Sequence, residues 1–288
     1  MRTTARLRQL LKDGPIVVAP GAHDPLTARL VAAQGFPAVY MTGAGTTAAL
    51  GLPDIGLVGL EEMVRNARQM AAAVEVPVFS DADTGYGNAV NVVYTVRQFE
   101  AAGVAGIHLE DQVAPKRCGH LAGKQVISTE EMVGKLRAAA GGRRDPDFVI
   151  IARTDARAVE GFDATVARAR QYVAAGADVI FPEALESREE FAAFGRALGA
   201  PLLANLTEFG RTPTLEPTEL ETLGYRLAIY PASALRVALY AMRDFLADLR
   251  RPGAQADWLG RMLTRQELYE LIDYPTYQAY EREYLPES

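Results

Sequence analysis

Phe148-Val149-Ile150-Ile151-Ala152-Arg153 is a short β-branched run that ends on a charge and passes into Thr154-Asp155. Apolar residues at helical spacing follow across Ala164 to Ala175, then a small-residue stop at Ala174-Ala175-Gly176, then a second run at Val179 to Glu183. Working outward from this unit, the same pattern recurs on both sides. Strand-like runs read at Ile16 to Pro20, Ala38 to Thr42, Val76 to Ala82, Ala105 to Glu110, Pro201 to Asn205 and Leu227 to Pro231. Helical spacing fills Val90 to Ala102, Glu130 to Ala140 and Arg188 to Leu198. A strand followed by a helix, repeated to eight strands, predicts an α/β fold, a (β/α)8 barrel with a C-terminal helical extension. Glycine stops at Gly103, Gly176 and Gly199 agree, since glycine tolerates the left-handed conformation that ends a helix. The motifs around these stops differ, so they punctuate a barrel and not a tandem array.

The chain has 288 residues, with 30 Lys and Arg against 36 Asp and Glu, a net charge of −6. That balance argues against nucleic acid or an anionic membrane as partner. Hydrophobic residues at 49% and charged residues at 23% describe a chain able to bury a large core and exclude a disordered one. No apolar run reaches the roughly 18 residues of a membrane span. Met1 to Gly14 shows no charged-then-apolar leader, so a cytoplasmic protein is expected. The single cysteine, Cys118, excludes an intrachain disulfide and a multi-thiolate metal site.

Beyond the eighth strand, a helix is expected from about Ala234 to Arg250, broken by Arg251-Pro252-Gly253. This sets an expected barrel over 1–253 and a helical tail over 254–288, with helical pieces at Trp258 to Leu263 and Gln266 to Ile272. The tail carries Tyr269, Tyr274, Tyr277, Tyr280 and Tyr284 and packs either on its own barrel or on a neighbouring subunit.

Catalytic groups of such a barrel gather where its strands end. Asp81 and Asp83, two apart, leave a strand end on one face and can address one ion together with Glu110 and Asp54. Carboxylate oxygens without His or Cys suit Mg2+ or Mn2+, and three acids crowded at one mouth repel without a cation. The alternative is that Asp81-Ala82-Asp83 caps the helix beginning near Asn88. Arg153 and Arg236 supply cationic forks for a small polyanion, or else pair with Glu183 and Asp155. Thr42-Gly43-Ala44-Gly45 is a small-residue turn able to present backbone N–H groups to an anion. Lys116-Arg117-Cys118-Gly119-His120 is too polar and glycine-broken for core and is expected as a loop over the mouth. Its basic neighbours favour thiolate and make Cys118 a candidate acid/base. His23 suits a turn beside Asp24-Pro25, and His108, inside a strand, suits a core histidine as well as a catalytic one. Neither is taken as a site residue.

The cysteine loop, with Asp81-Ala82-Asp83, His108-Leu109-Glu110-Asp111-Gln112 and Ala152-Arg153-Thr154-Asp155, resembles the isocitrate lyase/phosphoenolpyruvate mutase superfamily from about Val17 to Tyr280. Within it, the methylisocitrate lyase branch looks most similar. The resemblance implies a Mg2+-dependent carbon–carbon lyase acting on a small di- or tricarboxylate, and a homotetramer in which a C-terminal helix packs on a neighbouring barrel. It implies metal at Asp81 and Asp83, the latter partly through water. It implies a substrate carboxylate at Thr42, Gly43 and Ala44, and Cys118 and Gly119 on a closing loop. Arg153, Glu183, Asn205, Leu206, Thr207, Arg236 and Arg265 would surround the substrate. The implied reaction removes the 2-hydroxyl proton of 2-methylisocitrate, releases pyruvate, and leaves a succinate carbanion that Cys118 protonates. The base for the first step stays open. Leu121-Ala122-Gly123-Lys124 looks more like the carboxyphosphonoenolpyruvate phosphonomutase branch. Asn205-Leu206-Thr207-Glu208-Phe209-Gly210 and Arg265-Gln266-Glu267-Leu268 look like the lyase. A 2,3-dimethylmalate lyase, an oxaloacetate hydrolase, and a barrel that binds carboxylates without turnover are the further alternatives.

Overall fold

The structure is a computed structural model that describes residues 1–117, 119 and 123–285. By internal contacts the chain divides into two compact units, Met1–Ser233 and Ala234–Ser288. In the first, the strands are β1 (Val17–Ala22), β2 (Val39–Met41), β3 (Val78–Asp81), β4 (Gly106–Glu110), β5 (Val149–Thr154), β6 (Val179–Pro182), β7 (Leu202–Asn205) and β8 (Tyr225–Tyr230). They close into a parallel barrel in chain order, β8 returning to β1 with Val17 opposite Leu227. The expected (β/α)8 barrel is the fold. Its helices are α1 (Thr3–Asp13), α2 (Pro25–Ala33), α3 (Gly43–Ala49), α4 (Leu60–Ala73), α5 (Ala89–Ala101), α6 (Thr129–Gly142), α7 (Phe162–Ala174), α8 (Arg188–Ala197) and α9 (Pro217–Thr222). Among the described residues no helix is long and apolar enough to cross a membrane.

The two-residue period of a strand decides which side chains reach the mouth. Along β5, Val149 and Ile151 join an inner core with Tyr40, Phe79, Phe181 and Leu203, while Ile150 and Ala152 pack outward against the helices. The next inward position on each strand, one step toward its C-terminal end, is polar. It is Thr42 after Tyr40, Asp81 after Phe79, Arg153 after Ile151, Glu183 after Phe181 and Asn205 after Leu203. On β4, Ile107 and Leu109 face outward, which turns His108 and Glu110 inward. Apolar layers thus fill the barrel below and a polar ring closes its top. At the opposite end, Leu7 and Leu11 of α1 join the inner core. Thr4 Oγ1 donates to Asp145 at 2.9 Å and Arg8 Nη2 to Asp178 Oδ1 at 3.0 Å, which hold α1 as a plug.

The second unit holds α10 (Ser233–Asp248), α11 (Ala254–Asp257), α12 (Arg265–Leu271) and α13 (Tyr274–Tyr284). The Trp258 ring meets Phe245 edge-on at 5.5 Å, and its Nε1 donates to Asp248 at 3.0 Å. These contacts tie α10 to the tail, and by internal contacts the second unit begins at Ala234. Of the helix expected at Trp258 to Leu263, a 3-10 turn at Leu259–Arg261 forms. A reciprocal cap between Thr264 and Glu267 then starts α12.

Candidate active site

At the rim, Asp81, Asp83 and Glu110 are buried side by side. Asp81 Oδ1 accepts from the Asp83 backbone N–H at 2.9 Å. Neither aspartate caps a helix: Asn88 does that for α5, in a reciprocal pair with Asn91. Lys116 Nζ lies 2.9 Å from Asp83 Oδ1 and also contacts Asp54. Burial penalises every charge here. It is outweighed at Asp81, whose carboxyl His108, Lys116 and Arg153 hold below the ordinary range. Burial and the Asp81 charge push Asp83 up to about 6, and burial lifts Glu110 well above the carboxylate range. The surrounding acids hold the Lys116 ammonium firmly protonated against burial.

Arg153 stands opposite. Its Nε and Nη2 donate to the two oxygens of Asp155 at 2.9 and 3.1 Å. Its Nη1 lies 3.2 Å from Glu110 and its Nε 3.6 Å from Glu183, whose carboxylate accepts from Asn205 Nδ2 at 3.2 Å. Asp155 is itself held from behind, its backbone N–H donating to Asp111 Oδ1 at 2.8 Å. Asp111 Oδ2 also accepts from Thr154 Oγ1 at 2.7 Å and Tyr172 OH at 2.8 Å. Below this ring, His108 Nε2 meets Tyr40 OH at 2.8 Å and Asp81 Oδ1 at 3.5 Å. Burial lowers the His108 pKa to about 4, so the ring is neutral at pH 7.

Two glycines are required by close approach. A Cβ on Gly43 would fall 2.3 Å from Asp81 Oδ2, and one on Gly119 2.4 Å from Arg153 Nη2 and 2.7 Å from Glu183 Cδ. The backbone at Gly119 therefore rests on the Arg153–Glu183 pair. The chain on either side is anchored: Gln112 Oε1 accepts from Arg117 N at 2.9 Å, its Nε2 donates to Arg117 O at 2.8 Å, and Gln112 bridges to Val126.

A family model described as phosphoenolpyruvate phosphomutase matches residues 7–250. The chain belongs to this family. It is 49% identical, over 96% of its length and 89% of the relative's, to a 2-methylisocitrate lyase of Aeropyrum pernix. It is 48% identical to a 2,3-dimethylmalate lyase of Eubacterium barkeri, over 99% of both chains. A solved oxaloacetate acetylhydrolase in complex with 3,3-difluorooxalacetate superposes with a TM-score of 0.93 at 38% identity, covering 99% of this chain and 98% of the other.

Of the site residues expected in this family member, the barrel mouth brings together Thr42, Gly43, Asp81, Asp83, Gly119, Arg153, Glu183 and Asn205. Thr42 also caps α3, accepting from Gly45 N at 3.2 Å, with Ala44 half-buried in the first turn. Leu206 turns its side chain into the layer outside the barrel, leaving its backbone to the rim, and Thr207 beside it is half-buried. Arg236 and Arg265 belong to the second unit, on α10 and at the start of α12, and are exposed. Cys118 lies outside the described residues. Sequence reasoning passed over Lys116, Lys124 and His108 as site residues. The two-residue step from His108 to Glu110 is the signal that would have turned His108 inward, but no local pattern announces the lysines.

Among the described residues no three or more acid, His or Cys side chains form a ready-made metal cage. The donor set nonetheless fits a hard cation. Glu110 Oε1 is buried without a hydrogen-bond partner, while Asp83 Oδ1 and Glu110 Oε2 meet only the cations Lys116 and Arg153. Mg2+ needs only one or two protein carboxylates, with water completing its shell. Lys116 meanwhile balances part of the charge.

Proposed function

We propose that this family member is a carbon–carbon lyase that splits 2-methylisocitrate into pyruvate and succinate, with Mg2+ or Mn2+ held by Asp81 and Asp83. The observation that carries the reading is the burial of Arg153 against the carboxylates of Glu110, Asp155 and Glu183 at one mouth, under the Gly119 backbone. The relatives named above supply the substrate class. A cation bound at Asp81 and Asp83, beside Glu110, would supply positive charge against the substrate's hydroxyl and carboxylate oxygens. Thr42 and the N–H groups of Gly43 and Ala44 would orient one carboxylate. Arg153, its charge secured by three acids, would hold the carboxylate on which electron density grows as the C2–C3 bond breaks. As a general base takes the hydroxyl proton, the C2 carbonyl forms and the electron pair of the breaking C2–C3 bond passes to C3. Cys118, next to the seated Gly119, then gives that carbon its proton and completes succinate.

A 2,3-dimethylmalate lyase is the second reading, favoured by the end-to-end match to the Eubacterium barkeri enzyme. The deciding experiment measures 2-oxo acid release, pyruvate from 2-methylisocitrate or 2,3-dimethylmalate and glyoxylate from isocitrate, in parallel, with Mg2+ and with a chelator. Cleavage of methylisocitrate that the chelator stops and Cys118→Ser abolishes is expected. A preference for dimethylmalate replaces the first reading with the second.

We infer likewise that the second unit joins copies of the chain into a homotetramer. None of the residues of α10 is buried, and Val237, Tyr240 and Leu246 on it are exposed at 71%, 61% and 60%. Sedimentation of the full chain against one ending before Trp258 tests this; a monomeric full chain rejects it.

A further inference from the structure

We propose that Lys124 is a positioning residue for the site: an internal cation that sets both the Arg153 guanidinium and the backbone at Gly119. The inference rests on the preceding reading only in taking Arg153 to face the substrate. Lys124 is buried, with 1% of its side chain exposed. Its Nζ donates to Asp155 Oδ1 at 2.7 Å and to the carbonyl of Gly119. Asp155 Oδ1 is the same oxygen that accepts from Arg153 Nη2, so one buried carboxylate is shared between two cations. A carboxylate bound on one side by Lys124 draws less strongly on Arg153, which keeps Arg153 poised between Asp155, Glu110 and Glu183 and able to turn charge toward a ligand. The second donor bond fixes the carbonyl of the glycine that lies against that same guanidinium. Lys124 thus ties the segment next to Cys118 to the end of β5 through one ammonium. An arginine-like fork is not needed for this; two donors and a full charge are.

Oxalate, the smallest dicarboxylate, is the probe, because its binding to the Mg2+-loaded full chain does not depend on which hydroxy acid is cleaved. Lys124→Met should raise the oxalate Kd, measured by calorimetry, by about tenfold, the scale of one lost hydrogen bond to a buried charge. Lys124→Arg, which restores charge and donors, should bring it back to within about threefold of the original protein. A purely structural lysine would lower the melting temperature in Lys124→Met and leave the Kd unmoved. That result overturns the inference, as does a Kd that Lys124→Arg fails to recover, or no oxalate binding by the original protein. Should Lys124→Met not fold, Lys124→Gln, which keeps a donor without the charge, makes the same comparison. If the graded Kd values hold while the original protein cleaves none of the three acids, the lyase reading falls and this one stands.

Discussion

Replacing Gly119 with alanine adds one methyl group at the point where the backbone meets the Arg153–Glu183 pair. The added Cβ would lie 2.4 Å from Arg153 Nη2, against an ordinary contact of 3.4 Å or more, so one partner must yield by about 1 Å. Neither retreats freely. Arg153 is held by both oxygens of Asp155 and by Glu110 at 3.2 Å, and Glu183 is held by Asn205. A misplacement of about 1 Å at a positioned catalytic group costs roughly a hundredfold in rate, or about 2.7 kcal/mol of barrier. Steady-state cleavage of the preferred acid by Gly119→Ala, alongside calorimetric melting, reads this directly. Activity should fall by that factor while cooperative unfolding is kept, since the apolar layers of the barrel are not touched. Gly134→Ala is the control: nothing lies within 4 Å of its added Cβ in α6. It should leave the rate alone and stabilise by about 0.5–1 kcal/mol through helix propensity. If Gly119→Ala keeps activity to within about threefold, the backbone is not seated on Arg153 and the site as described is wrong.

Asp111→Asn should destabilise the barrel by about 2 kcal/mol in urea unfolding, because an amide offers one acceptor where three donors, from Thr154, Tyr172 and Asp155, now converge. Unchanged stability would remove Asp111 as the support behind Asp155. His108 supplies a pH signature. Its folded pKa of about 4 lies below the roughly 6.5 of the unfolded chain, so its contribution to stability is complete above pH 6.5 and is lost as pH falls toward 4. Between pH 7.5 and 5, metal-free protein should lose about 2 kcal/mol more than His108→Gln does. Parallel pH curves for the two proteins would show that the histidine is not held neutral.

The sequence by itself determined the barrel and which acids and which arginine end its strands. Strand count and helix stops are local properties, and the two-residue period carries side-chain direction from Phe79 to Asp81, from Ile151 to Arg153 and from Phe181 to Glu183 without any knowledge of neighbouring strands. Tertiary structure alone decided which charge meets which. Lys116 finds Asp54 and Asp83, Lys124 finds Asp155, and Tyr40 finds His108 across loops and helices whose closure no local pattern encodes. It also decided that α10 groups with the tail, since Trp258 reaches back to Phe245 and Asp248. The physical reason is common to all of these: periodicity fixes the direction a side chain leaves its own strand or helix. Its electrostatic partner is chosen only when the closed barrel brings distant segments within hydrogen-bond reach in a buried site.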